Sequence, residues 1–285
     1  MSTAPFSEDL ALAHRLADAA DRLTRDGFRS ESLQVEYKGD GTPVTEVDRA
    51  VEQAMGALVA AERPGDALLG EEIGAVGDPD AHRRWIFDGI DGTHNYAAGR
   101  PGWGTMICLT IDGEPAVGVI SAPANGVRYW GARGHGSWTA TLDERGTDGL
   151  GEATRLACRS ITDLDSAVVV SSPPPNILLG WRSDAAARFH RDDVERHRSF
   201  ALDVAVIGEG HHDAMIILVG GPWDYAANVV IIEEAGGEFR SAYGDRRLDT
   251  TTAVFGPRLV VDHVVETLAD LLPAEPDEPV RANRL

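Results

Sequence analysis

Apolar residues recur at helical spacing near the start of the chain. Leu10, Ala13, Leu16, Ala17, Ala20 and Leu23 fall on one face between Ser7 and Phe28, and Gly27 supplies a stop, which predicts an amphipathic helix. Leu33, Val35 and Tyr37 alternate as in a strand. The turn-forming run Gly39-Asp40-Gly41-Thr42-Pro43 leads to a second predicted helix from about Thr45 to Glu62, with Val47, Val51, Met55, Leu58 and Val59 as its apolar face. From Ala67 the pattern shortens to strands: Ala67 to Gly70, Arg84 to Phe87, Thr105 to Ile111, Ala116 to Ser121 and Val127 to Gly131. Asp112-Gly113 and Asn125-Gly126 are hairpin signals between them. Further strands are predicted near Thr154 to Cys158, Ala167 to Ser171 and Asp213 to Val219. Helices follow near Asp184 to Glu195, near Ala201 to Glu209, and from Pro222 to Gly236-Gly237. Blocks of helices and antiparallel strands predict layered α/β or α+β packing. The glycine-rich, charged stretch from Asp143 to Gly151 divides this into an N-terminal α+β half over 1–145 and a C-terminal α/β half over 152–273, with a flexible tail over 274–285.

Composition narrows the classes. At 285 residues and 43% hydrophobic the chain can bury a sizeable core, and disorder is excluded. A net charge of −20 argues against nucleic acid and against an anionic membrane surface as partners. No apolar run approaches the ~20 residues that span a bilayer, and Met1 to Leu10 lacks the pattern of a secretory signal. Cys108 and Cys158 are isolated thiols, which fits a reducing cytoplasm. Lys38 is the only lysine, a bias that reads as GC-rich genome composition and not as function.

Chemistry concentrates in acids at strand ends. In Trp85-Ile86-Phe87-Asp88-Gly89-Ile90-Asp91-Gly92-Thr93 an apolar strand closes on two carboxylates three residues apart. Burying them costs several kcal/mol each unless a cation or donors compensate. A hard divalent ion such as Mg²⁺ is one remedy, and an Asx-turn that merely ends the strand is the other. Gly70-Glu71-Glu72 follows another short apolar run, where a solvated loop is the plain alternative. Thr45 and Asp48 read as a capping box. Asp224 reads as an acid favoured by the helix dipole after Pro222. None of the nine histidines is spaced to pair on one helix face as a metal site.

Four ordered motifs together resemble the inositol-monophosphatase superfamily of Mg²⁺-dependent, lithium-sensitive phosphatases over roughly Leu10 to Leu271. They are Pro43-Val44-Thr45 with Asp48, Gly70-Glu71-Glu72, Trp85 to Tyr96, and Trp223 to Gly237. The resemblance implies an α/β fold of alternating helix and sheet layers, a homodimer, and two or three Mg²⁺ ions with Li⁺ as inhibitor. It places Glu71, Asp88, the carbonyl of Ile90, Asp91 and Asp224 as metal ligands. Gly92 and Thr93 would bind phosphate, and Thr93, Asp48 and Glu71 would activate water. Gly89 departs from the family's usual proline, and the freedom of glycine predicts a looser backbone between two ligands and weaker metal binding.

The substrate is less defined. Gly118 to Pro123 and Arg128-Tyr129-Trp130 look like the actinobacterial histidinol-phosphatase branch. At Ile217, seven residues before Asp224, inositol-type members carry an acid. His94, Ser199, Phe200 and Ile217 are the candidate specificity residues. The apolar edge from Ile217 to Val219, with Phe200, suits a flatter or less cationic leaving group than histidinol, such as a nucleoside. A small phosphate ester is therefore the expected partner: histidinol phosphate, or a nucleoside or specialised-metabolite phosphate. Alternatives are an inositol monophosphatase, a 3′,5′-bisphosphate nucleotidase using Arg182, Arg188 or Arg198, and a catalytically weak metal-binding scaffold.

Overall fold

A computed structural model describes residues 6–143, 149–172, 199–269 and 272. The helix expected at Asp184 to Glu195, the three candidate arginines and residues 274–285 lie outside these. The first pattern forms helix α1 (Ser7–Gly27), with Leu12, Leu16 and Ala20 fully buried. The second forms α2 (Glu46–Glu62). Thr45 caps it as expected: its hydroxyl accepts from Val47 and Asp48 N–H, and Asp48 Oδ2 accepts the Thr45 N–H at 2.9 Å. Between the helices, β1 (Val35–Tyr37) and β2 (Pro43–Thr45) pair as an antiparallel ribbon, so the end of the predicted loop is strand.

The run of short strands forms one sheet: β3 (Ala67–Gly70), β4 (Gly74–Val76), β5 (Arg83–Asp91), β6 (Gly104–Ile111), β7 (Glu114–Ala122), β8 (Val127–Ala132), β9 (Ser137–Thr141) and β10 (Thr154–Arg155). Its order is β10-β9-β8-β7-β6-β5-β3-β4, antiparallel throughout except for β3 beside β5. Asp112 and Gly113 both take positive φ, 54° and 80°, as a tight two-residue hairpin between β6 and β7 demands. A short helix, α3 (Thr93–Ala97), follows β5. The second sheet, ordered β11-β12-β14-β13, comprises β11 (Val169–Ser172), β12 (Ala214–Ile217), β13 (Glu238–Arg240) and β14 (Ala253–Gly256). Helices α4 (Phe200–Ala205), α5 (Pro222–Glu234) and α6 (Arg258–Ala269) and a short 3₁₀ turn (Leu164–Ser166) complete the described elements.

Side-chain alternation along the strands sets the layers. Trp85, Phe87, Ile107 and Leu109 pack with α1 and α2, while Ile86, Met106, Cys108 and Ile120 pack with α4 and α5 on the opposite face. Met215, Ile217 and Phe255 close the far side of α5, and Ala214, Ile216 and Val254 turn outward to meet α6. The result is the expected alternation of helix and sheet layers. The first sheet runs on to Arg155, past the boundary expected at 152, and α5 shares one core with both sheets.

Candidate active site

Parallel pairing of β3 with β5 ends at Gly70 opposite Phe87, where β3 stops and β5 runs on to Asp91. Glu71 and Asp88 therefore emerge side by side. Beyond Asp88 the ladder to β6 shifts register and resumes only at Asp91 opposite Gly104, a bulge that re-aims the intervening residues. Gly92 then takes φ 84°, a conformation that favours glycine, and turns the chain into α3. Asp224 arrives from the other half of the molecule in the first turn of α5, its Oδ2 accepting the Gly221 N–H at 2.5 Å. Glu71, Asp88 and Asp224 each offer a carboxylate oxygen within 4.8 Å of the others. A cavity of about 220 Å³ lies over them, lined also by Asp91, Gly92, Thr93, His94, Ser199 and Phe200.

The acids are held against their own chemistry. Burial pushes Asp88 well above the usual carboxylate range, and the charges of Glu71, Asp91, Asp224 and Glu52 all push the same way. Asp224 is raised by burial and by Glu71, and Asp91 is raised by burial to about 7. Burial likewise raises Glu71, opposed by Lys38. Like charges gathered at this depth repel unless protons or cations intervene. The donor set is all oxygen, which is the chemistry a hard divalent cation requires, so the residues present fit the metal that the sequence implies.

Two further contacts tie the site to its frame. Thr93 Oγ1 lies 3.1 Å from Asp48 Oδ1 and 2.8 Å from the Ile90 carbonyl, so its one proton has two acceptors within reach. Asp48 is thus both cap and site residue: Oδ2 holds the turn at Thr45 while Oδ1 faces Thr93. Ser199 Oγ and the Ala201 N–H donate to Asp91 Oδ2 at 2.5 and 2.8 Å, which docks the start of α4 on that acid.

Of the specificity candidates, His94, Ser199 and Phe200 line the cavity, whereas Ile217 is fully buried in β12 and is not among its lining residues. Its side chain points into the core shared with α4 and α5. Three neighbours escaped the sequence. Ser172 and Thr42 line the cavity. Lys38, read from sequence as compositional bias, donates to Glu71 at 2.6 Å and to Glu72 at 2.5 Å. Burial works against its charge, but the two glutamates outweigh that and hold the ammonium firmly protonated. Gly89, expected to loosen the backbone, is clamped: its carbonyl accepts the Thr105 hydroxyl at 2.8 Å, and a Cβ there would lie 2.7 Å from the Asp48 carbonyl oxygen. A larger cavity of about 640 Å³ beside Leu69 and Val76 brings no such group of acids together among the described residues.

Comparison with known proteins agrees with this geometry. The sequence model of the inositol monophosphatase family matches residues 6–270. The histidinol-phosphatase of Mycobacterium tuberculosis is 39% identical over 266 residues, covering 92% of this chain and 98% of that protein. A Streptomyces griseus protein named glucose-1-phosphate thymidylyltransferase is 38% identical, covering 92% and 97%. The structure of an inositol monophosphatase from Zymomonas mobilis superposes with a TM-score of 0.73 at 28% identity, covering 93% of this chain and 99% of that one.

Proposed function

This chain belongs to the inositol monophosphatase family, and from that premise we propose that it hydrolyses a small-molecule phosphate monoester by attack of water on phosphorus, with Mg²⁺ as its cofactor. The observation that carries the reading is the convergence of Glu71, Asp88 and Asp224 within 4.8 Å beside Gly92 and Thr93. Glu71, Asp88, Asp91 and Asp224, with the Ile90 carbonyl, would hold two or three ions. When bound, clustered divalent cations offset the negative charge of the ester and lower the pKa of water in the site.

The chain's own groups supply the rest. Gly92 and Thr93 open α3 at the edge of the cavity, where their backbone N–H groups would receive phosphoryl oxygens. Donation of the Thr93 proton to Asp48 leaves the hydroxyl lone pairs to take a proton from the attacking water. Glu71 faces the same space. Phe200 gives the leaving-group side an apolar surface, and His94 and Ser199 add polar edges.

The Mycobacterium tuberculosis relative puts histidinol phosphate first among substrates, with a nucleoside or specialised-metabolite phosphate next. Homodimer formation and a cytoplasmic location belong to the same reading; light scattering tests the first. No helix among the described residues is long and apolar enough to cross a membrane. The deciding experiment is phosphate release, with and without Mg²⁺, from histidinol phosphate, inositol 1-phosphate, nucleoside 5′-phosphates and a 3′,5′-bisphosphate. Glucose 1-phosphate with dTTP, followed for pyrophosphate release, covers the activity in the Streptomyces griseus relative's name. Mg²⁺-dependent release from one monoester is expected; no release from any of them sinks the proposal.

A further inference from the structure

Glu52 carries no role in the reading above, yet it is wholly buried one helical turn after Asp48, on the face of α2 that meets the site. A buried carboxyl is costly unless donors meet it. Here the donors are three backbone N–H groups. Oε2 accepts from Glu72 and Ile73, each at 3.0 Å, and Oε1 faces the Gly89 N–H at 3.4 Å. These peptides lie where the sheet has stopped serving them. Pairing of β3 with β5 ends at Gly70 and Phe87, with one further bond from the Glu71 N–H to the Phe87 carbonyl, so the next two donors need another acceptor. Gly89 lies in the bulge between Asp88 and Asp91, outside the ladder to β6.

The positions served are those that follow Glu71 and Asp88. Space has been cleared for the contact on both strands. A Cβ on Gly70 would sit 2.2 Å from Glu52 Oε2, and one on Gly89 would sit 3.3 Å from Glu52 Cγ as well as against the Asp48 carbonyl. Neither glycine has positive φ, so close approach, not backbone conformation, is what these two positions require of glycine.

Resting on the metal-site reading above, we propose that Glu52 is a positioning residue for the cation site, a single carboxyl that fastens the two strand breaks from which Glu71 and Asp88 project. Ligands must be held to about half an ångström for tight binding, and peptides adjoining both ligands are fixed by this one side chain. The role depends on reach and acceptor geometry, not on contact with substrate or metal.

Three variants separate reach from charge. Glu52→Asp is one methylene too short to serve both peptides, and Gly70→Ala displaces the carboxyl without removing it. Glu52→Gln keeps one oxygen acceptor at the original reach for the Glu72 and Ile73 amides and gives up only the longest contact, at the Gly89 N–H. Calorimetric Mg²⁺ titration of metal-free protein should show the first two binding roughly ten- to hundredfold more weakly than wild type, and Glu52→Gln within about threefold. Hydrogen exchange of the metal-free proteins gives a readout independent of turnover: the Glu72 and Ile73 amides should exchange faster in Glu52→Asp and Gly70→Ala, and as in wild type in Glu52→Gln. Wild-type Mg²⁺ affinity in both displaced variants overturns the inference alone. Equal losses in Glu52→Gln and Glu52→Asp overturn it too, because charge and not reach would then matter. Absence of saturable binding by the wild type overturns the metal reading itself.

Discussion

Two of the clusters of buried charge among the described residues are solved in opposite ways. Between α1 and β8, Arg128 is almost fully buried and answers every acid near it: Nη2 donates to Asp21 at 2.9 Å, Nη1 lies 2.8 Å from Asp18, and Nε donates to Ser121 at 3.0 Å. Burial still raises Asp21, but Arg128 and Ser121 pull against it. Around Asp88, the charges of four further acids add to burial, and Lys38 pairs with Glu71 and Glu72 at the rim. The first cluster is closed within the chain. The second is short of positive charge, which is what a site built to take up cations looks like before they arrive.

Neutralising an acid should therefore have opposite consequences at the two places. Asp91→Asn removes a proposed ligand yet also removes buried repulsion. We expect activity to fall on the order of a thousandfold or more, with the metal-free melting temperature unchanged or raised. Phosphatase activity within tenfold of wild type removes Asp91 from the ligand set. Arg128→Ala strands Asp21 and should cost about 3–5 kcal/mol in denaturant unfolding. Adding Asp21→Leu should return much of that loss, because the stranded charge goes with it. Activity per folded molecule should persist in both.

The pH dependence sharpens the contrast. Glu52 and Asp91 have pKa values raised to about 8 and about 7, above their unfolded values, so the native state binds more protons than the unfolded one in between. Stability of metal-free protein then falls as pH rises toward 8. Asp91 faces Ser199, Glu71 and Asp203, and Glu52 faces Glu71 and Glu72; among the described residues neither is ion-paired with a cation. His14, lowered by burial and by Arg128 to about 4, slopes the other way, but only below its unfolded value of 6.5. Calorimetric scans between pH 6.5 and 8 should show the melting temperature dropping without metal. The gain from saturating Mg²⁺ should grow over the same range, because cations bind the ionised acids. A gain that is flat with pH would place the bound cation away from these acids.

Much of this was legible in the chain. Helical spacing gave α1 and α2, Asp-Gly marked the hairpin, and the four acidic motifs named the residues that converge. Thr45 and Asp48 could be read as cap or as site because one Asp48 oxygen holds the cap while the other faces Thr93. Glu52 was missed although a signal existed: it is an acid beside Val51 and three residues before Met55 on an apolar face. Lys38 had no local signal, since only folding brings the β1–β2 ribbon over Glu71. Ile217 was misplaced because strand position alone does not say which face of β12 meets the cavity. The effect of Gly89 depends on the Asp48 carbonyl packed against it, a contact that no family pattern displays.

The smallest effect tests the comparison most directly. Among the described residues Lys38 is the one cation within hydrogen-bonding distance of Glu71, and its side chain is 17% exposed, so its pair is only partly desolvated. Lys38→Met should cost metal-free protein about 1 kcal/mol, in the range of half-buried ion pairs and below the cost of stranding Asp21. Glu71 is then left without its counter-charge, a deficit of the kind that bound Mg²⁺ corrects. Saturating Mg²⁺ should therefore bring the Lys38→Met melting temperature back to within about a degree of Mg²⁺-loaded wild type. The same ion should leave the deficit of Arg128→Ala untouched, because independent sites add. Equal recovery in both variants would mean that Mg²⁺ stabilises the chain generally, and the distinction between a closed cluster and an open one would be lost.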